Sequence, residues 1–179
     1  AGTENPFAIA AIRFTLYTGL RHGTVANLRW REVDLAHGCL RLADTKTGAL
    51  TVAISTHAAA VLNSLPAGEP DDLVFPSSKE GAPIALTRPF QRIRKAAGID
   101  ASVTLHTLRH TLASWAVMGG MSLPETGALL GHKSVQTTQR YAHLAQEHVR
   151  RNADRVSNTI AAMAAGEPAE VIPLHKRAG

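Results

Sequence analysis

With 179 residues, 45% of them hydrophobic and 18% charged, the chain has the size of one globular domain with a packed core, which excludes disordered, collagen-like and membrane-spanning classes. Nineteen Lys+Arg against 14 Asp+Glu leave a formal charge of +5, which points to a polyanion such as nucleic acid, although a basic domain with no such partner has the same balance. Cys39 is the single cysteine, and no apolar run approaches the roughly 20 residues of a membrane span, so the expectation is a soluble, cytoplasmic protein without disulfides or a membrane partner.

Asn5-Pro6 predicts a capped helix start, and Phe7, Ala10, Ala11, Phe14 and Tyr17 recur at helical steps until Thr18-Gly19. A short helix over 22–28 follows. Strands are then expected at 33–35, 39–42 and 50–54, joined by turns at His37-Gly38 and Lys46-Thr47-Gly48. Thr56 is placed as the cap of a helix reaching about Leu65, 66–72 is a loop, and 72–75 is a short extended piece. A helix over 87–97 carries Arg88, Arg92, Arg94 and Lys95. The next runs from His106 to Gly119-Gly120 with Leu108, Leu112, Trp115, Ala116 and Met118 as its apolar surface. Ser122-Leu123-Pro124-Glu125 is a capping box for a helix closed by Gly131. Helices over 135–144 and 146–164 precede a loose tail at 165–179. The fold class is therefore mainly α with a small antiparallel β-sheet near the N-terminus, an α+β domain over 1–164.

The densest polar cluster is His106-Thr107-Leu108-Arg109-His110. On a helix these two histidines and the arginine share one face. Two histidines four apart suit zinc, but Thr107 stands where a zinc protease needs Glu, and Arg109 repels a dication; an anion site fits better. No carboxylate cluster for Mg²⁺ and no P-loop is present, so no metal and no cofactor is expected. His132 follows a helix cap, and Tyr141 comes nine residues later, either as a reactive group or as a core aromatic with its hydroxyl at the surface.

Together these segments resemble the tyrosine recombinase (phage integrase) family. Thr18-Gly19-Leu20-Arg21 is similar to its first arginine motif, and Asp44-Thr45-Lys46-Thr47-Gly48 to its hairpin lysine. His106-Thr107-Leu108-Arg109-His110-Thr111 resembles its His-x-x-Arg box, and Leu129-Leu130-Gly131-His132 through Tyr141 its closing motif. The resemblance implies a DNA breaking-rejoining catalytic domain whose active site is Arg21, Lys46, His106, Arg109, His132 and Tyr141. It also implies a 3′-phosphotyrosyl intermediate on double-stranded DNA. Arginines donate to the phosphate oxygens, His106 serves as base for a phenol of ordinary pKa near 10, and Lys46 protonates the departing 5′ oxygen. One position departs from the pattern: Thr24 replaces the acid usual three residues after the first arginine.

Further DNA contacts are expected from Arg88, Arg92, Arg94, Lys95, Lys133 and Arg140, with a solvated helix face as the competing reading for the first four. The resemblance implies a homotetramer on DNA, a monomer or weak oligomer without it, and a C-terminal helix passed to a neighbouring subunit. Val149, Val156, Ile160 and Met163 are the apolar positions that such a helix offers. Because Arg21 lies so near the start, the N-terminal core-binding domain is expected to be absent, leaving half of a clamp with weak, salt-sensitive DNA binding. Competing functions are a type IB topoisomerase, a catalytically impaired DNA-binding module, and a metal-free nuclease built on His106 and His132.

Overall fold

The computed structural model describes residues 4–43, 48–79, 81–132 and 134–165, so Lys46, Lys133 and nearly all of the expected tail lie outside the described residues. Helix α1 (Pro6–Thr18) begins where the Asn5 side chain accepts the Phe7 amide at 2.9 Å and Pro6 enters the first turn. It stops at Gly19, whose φ of 62° lies in the left-handed region. A Cβ there would lie 2.6 Å from Leu130 and 2.8 Å from Leu112, so close packing also requires glycine. The short helix α2 (His22–Ala26) follows.

Strands β1 (Val33–Asp34), β2 (Cys39–Leu42) and β3 (Leu50–Ala53) form an antiparallel sheet in that order, with Leu40 opposite Val52 and Leu42 opposite Leu50. Along β2 the buried Leu40 and Leu42 alternate with exposed Arg41, the period of a half-buried strand. On the solvent side Asp34 accepts from His37 and Arg41, which hold its carboxyl down to about 2 and staple the β1–β2 turn. Helix α3 (Thr56–Asn63) is capped by Ser55, one residue before the expected Thr56; its hydroxyl accepts the Ala58 amide. The piece at 72–75 meets the chain through an isolated bridge between Arg29 and Leu73. Phe14, Val25, Leu28, Leu40, Val52, Leu62, Val74 and Phe75 form the main core, with the Phe14 and Phe75 rings 5.6 Å apart.

Helix α4 (Thr87–Ala96) buries Phe90 alone. Helix α5 (Leu105–Met118) departs from expectation: its buried residues are Leu105, Arg109, Ala113 and Val117, while Trp115 and Met118 stay 68% and 41% exposed. Leu108 and Leu112 pack partly buried against the two cores as expected, but the fully buried stripe beside them contains an arginine, which a count of apolar residues does not pick out. Helix α6 (Leu123–Leu130) opens on the Ser122–Glu125 capping box and closes at Gly131, φ 65°. A Cβ on Gly131 would lie 2.4 Å from Leu50, so glycine lets the base of the β2–β3 hairpin rest on the end of α6.

The chain end also differs. Helix α7 (Val135–Thr138) is one turn, a 3₁₀ turn spans Gln139–Tyr141, and α8 (Ala142–Ala164) then runs without a break. The expected boundary near 145 does not exist, because Leu144-Ala145-Gln146 contains no helix breaker. Tyr141 consequently sits at the root of α8. Its ring joins Ala113, Val117 and Leu130 in a second, smaller core.

Candidate active site

Four separate segments build one cleft of about 130 Å³. Arg21, His106, Arg109, His110, His132, Thr137, Arg140 and Tyr141 line it, and among the described residues no carboxylate does. Arg21 enters as the residue capping α2, immediately after the turn that Gly19 makes. One turn of α5 supplies His106, Arg109 and His110. His132 lies just past the Gly131 cap, and Arg140 and Tyr141 come from the 3₁₀ turn.

Arg109 is 5% exposed and divides its guanidinium between two tasks. Nη1 donates to the Gly19 carbonyl at 2.5 Å, which ties α5 to the end of α1. Nη2 is buried and has no hydrogen-bond partner among the described residues. A buried donor on a charged group without a partner is costly, and a site keeps one only where something binds it. Burial first, then the neighbouring Arg21 charge, push Arg109 down to about 10. Two guanidiniums facing one small space without an acid between them form a receptor for a doubly coordinated anion.

The histidines of the cleft are held neutral. Burial, followed by Arg109, Arg21 and Arg140, depresses His132 to about 4. Its Nδ1 lies 2.9 Å from the hydroxyl of the fully buried Thr138, which leaves Nε2 as the free ring nitrogen. Burial also lowers His106 and His110, with Arg109 and Arg140 adding to it. Tyr141 is 6% exposed, and burial pushes its phenol up against the opposing pull of Arg140 and Arg109. Its hydroxyl is hydrogen-bonded to His110 Nδ1 at 2.6 Å. His106, the base that the family resemblance implies, makes no hydrogen bond to Tyr141 and stands edge-on to His110, ring centroids 4.5 Å apart.

Among the residues expected to act, Arg21, His106, Arg109, His132 and Tyr141 thus share the cleft, and so does Arg140, expected as a DNA contact. Lys46 and Lys133 lie outside the described residues, but both sides of the lysine hairpin border the site: Leu42 and Leu50 line a narrow gap with Arg21, Thr24 and Arg109. The basic helix α4 is not a row of four free cations. Arg92 is paired with Glu4 through two hydrogen bonds, and Arg94 donates to the carbonyls of Ala101 and Val103, bracing the entry to α5. Arg88 and Lys95 remain exposed beside them. Two participants were not assigned roles from sequence. His110 was visible as the histidine four residues from His106, whereas Thr138 carries no signal apart from its burial.

A helical domain with a small sheet thus presents paired arginines and a tyrosine hydroxyl in a cleft that no described carboxylate lines, an arrangement whose chemistry suits an anionic ester. The chain belongs to the phage integrase family, whose model matches residues 7–148. It is 30% identical over 141 residues to tyrosine recombinase XerA of Saccharolobus solfataricus, an alignment covering 78% of this chain and 46% of that protein. A crystal structure of XerA recombinase superposes with a TM-score of 0.68 at 28% identity, over 84% of this chain and 57% of the other. The catalytic domain of bacteriophage HP1 integrase gives 0.61 at 26% identity, over 81% and 79%. The chain spans less than half the length of the first curated relatives it matches.

Proposed function

We propose that the chain is the catalytic part of a site-specific tyrosine recombinase, cleaving and rejoining double-stranded DNA through a 3′-phosphotyrosyl link to Tyr141 without metal or nucleotide. The observation that carries this reading is the buried, unpartnered Nη2 of Arg109 in a cleft shared with Arg21 and the Tyr141 hydroxyl. Displacement at a phosphodiester builds charge on the non-bridging oxygens, and the Arg109 guanidinium, held by the Gly19 carbonyl, stabilises it together with Arg21. His132 adds a donor through Nε2. Lys46 is the acid for the 5′ oxygen, a role taken from the family resemblance. The covalent link conserves the energy of the broken ester, so rejoining needs no cofactor. Among the described residues no group of three or more His, Cys, Asp or Glu side chains could hold a metal ion.

The assembly proposed is a homotetramer on DNA. In its support, Val149, Val156, Ile160 and Met163 on α8 are each more than half exposed, an apolar stripe that no other described residue covers. Incubating the protein with a nicked duplex in EDTA and running a denaturing gel tests the chemistry. A covalent protein-DNA band that vanishes in Tyr141→Phe is the expected result. Free cleaved ends without an adduct would indicate a nuclease, and intact strands a binding module.

A further inference from the structure

If Tyr141 is the nucleophile, its hydroxyl must lose a proton during attack, and burial makes that harder by raising the phenol. The hydroxyl has one hydrogen-bond partner among the described residues, His110 Nδ1 at 2.6 Å. The contact is built rather than incidental. His110 follows Arg109 directly, so the residue whose Nη1 anchors α5 to Gly19 also fixes where the next side chain on that turn points. Tyr141 is held from the other side by Ala113, Val117 and Leu130. The edge of one imidazole meets the face of the other where His106 packs on His110, at an interplanar angle of 85°.

We propose that His110 is a catalytic residue, the base that takes the Tyr141 proton, and that His106 is a positioning residue for its ring. This rests on the recombinase reading above. As the tyrosine oxygen's electron pair forms the O–P bond and the P–O5′ bond breaks, the hydroxyl proton passes to His110 Nδ1, giving an imidazolium. The 5′ oxygen takes its proton from the separate general acid. Rejoining runs the same transfers in reverse, with the imidazolium returning its proton to the tyrosine oxygen.

The surroundings fit a base. His106 and Arg109 face His110 from its own helix, Arg140 from the 3₁₀ turn, Arg21 from the start of α2 and His132 from the end of α6. All are cationic or neutral, so the ring is neutral in the resting protein and ready to accept. Bound phosphate supplies the negative charge that stabilises the imidazolium once formed.

The test uses His110→Asn, whose amide oxygen can accept the hydroxyl hydrogen bond but cannot take the proton. The substrate is a nicked duplex selected from a random-sequence pool by covalent trapping on the protein. His110→Asn should bind this duplex as the unmodified protein does, lose on the order of 10²-fold or more in single-turnover cleavage, and lose the fall in rate toward acid pH. Fluorinated tyrosine at position 141, with a more acidic phenol, should recover most of that loss; Tyr17→Phe makes the labelling unique because the chain has two tyrosines. The smaller loss in His106→Ala, where the base is misplaced rather than missing, should be recovered in part. With His110 intact, fluorination should also flatten the acid limb, a readout that survives if His110→Asn fails to fold. Near-normal cleavage by His110→Asn with an unchanged acid limb would overturn the proposal, as would rescue of His106→Ala in place of His110→Asn. Should the unmodified protein trap no DNA on Tyr141, the nucleophile assignment itself fails, a result distinct from either of those.

Discussion

Helix α5, which carries His106, Arg109 and His110, and helix α8, which starts directly after Tyr141, are held in opposite ways. Over 14 residues α5 buries a four-spaced stripe, Leu105, Arg109, Ala113 and Val117, between the two cores. Over 23 residues α8 has no fully buried side chain, and only Leu144 and Ala145 at its base pack against the second core. The groups that must hold a phosphate in fixed geometry thus stand on an element immobilised by packing. The tyrosine is fixed at the root of α8 through its own ring, while the rest of that helix projects an apolar face that no other described residue covers. In the proposed reading, rigid support for charge stabilisation and a surface for assembly are kept apart on neighbouring elements.

Removing Arg109 tests the packed side most severely. Arg109→Ala should lower cleavage by about 10²- to 10³-fold and cost about 1–3 kcal/mol of stability, because the Gly19 carbonyl loses its donor together with the site. Arg150→Ala on the exposed α8 should change neither. Single-turnover trapping and thermal unfolding measure the two effects.

The same contrast holds for apolar truncation. Leu130→Ala, at 1% exposure beneath Tyr141, should cost about 2–5 kcal/mol by denaturant unfolding, whereas Ile160→Ala, 61% exposed, should stay within about 0.5 kcal/mol. Ile160→Asp extends the test to assembly. It should leave the midpoint of unfolding unchanged and abolish the higher-order complex on DNA, seen as loss of the slow species in a native gel. A destabilised monomer would mean instead that α8 folds back on its own chain in solution.

Acid should act through the cleft. An unfolded histidine titrates near 6.5, but burial and the arginines hold His132 at about 4 and lower His106 and His110. The unfolded chain therefore binds more protons in that window, and stability rises with pH across it. The contribution is fully present above about 6.5 and is lost as pH falls toward 4. His132→Asn should flatten that part of a melting-temperature profile.

How much of this was legible depends on what each residue answers to. The helix starts at Asn5-Pro6 and Ser122-Glu125 and the stops at Gly19 and Gly131 follow from local capping chemistry, and they lie where the sequence puts them. The shared face of His106, Arg109 and His110 follows from helical spacing alone. The inward packing of Leu108 and Leu112 was legible, but the burial of Arg109 was not, because its guanidinium is held by the Gly19 carbonyl, 90 residues earlier. For the same reason the hydroxyl partner of Tyr141 was open: His106 and His110 share a face, and the ring that reaches the tyrosine depends on how α5 meets the 3₁₀ turn. The intramolecular ties of Arg92 and Arg94 were hidden too, since their partners, Glu4 and the carbonyls at 101 and 103, are set by tertiary approach.

The smallest effect expected concerns Thr24. It is half-buried in the gap between Arg21 and Arg109, where the family pattern has an acid. An acid there would meet guanidiniums that now face each other without one. Thr24→Glu should therefore stabilise the fold by about 1 kcal/mol, return Arg109 toward the ordinary range of a guanidinium, and leave cleavage unchanged or faster because both arginines are better oriented. Stability without activity would carry a different lesson. If the melting temperature rises while covalent trapping is clearly lost, the new carboxylate has taken Nη2 from the DNA phosphate. Position 24 then owes its neutral residue to the need to keep that donor open, and the departure from the family pattern is part of how this site binds its substrate.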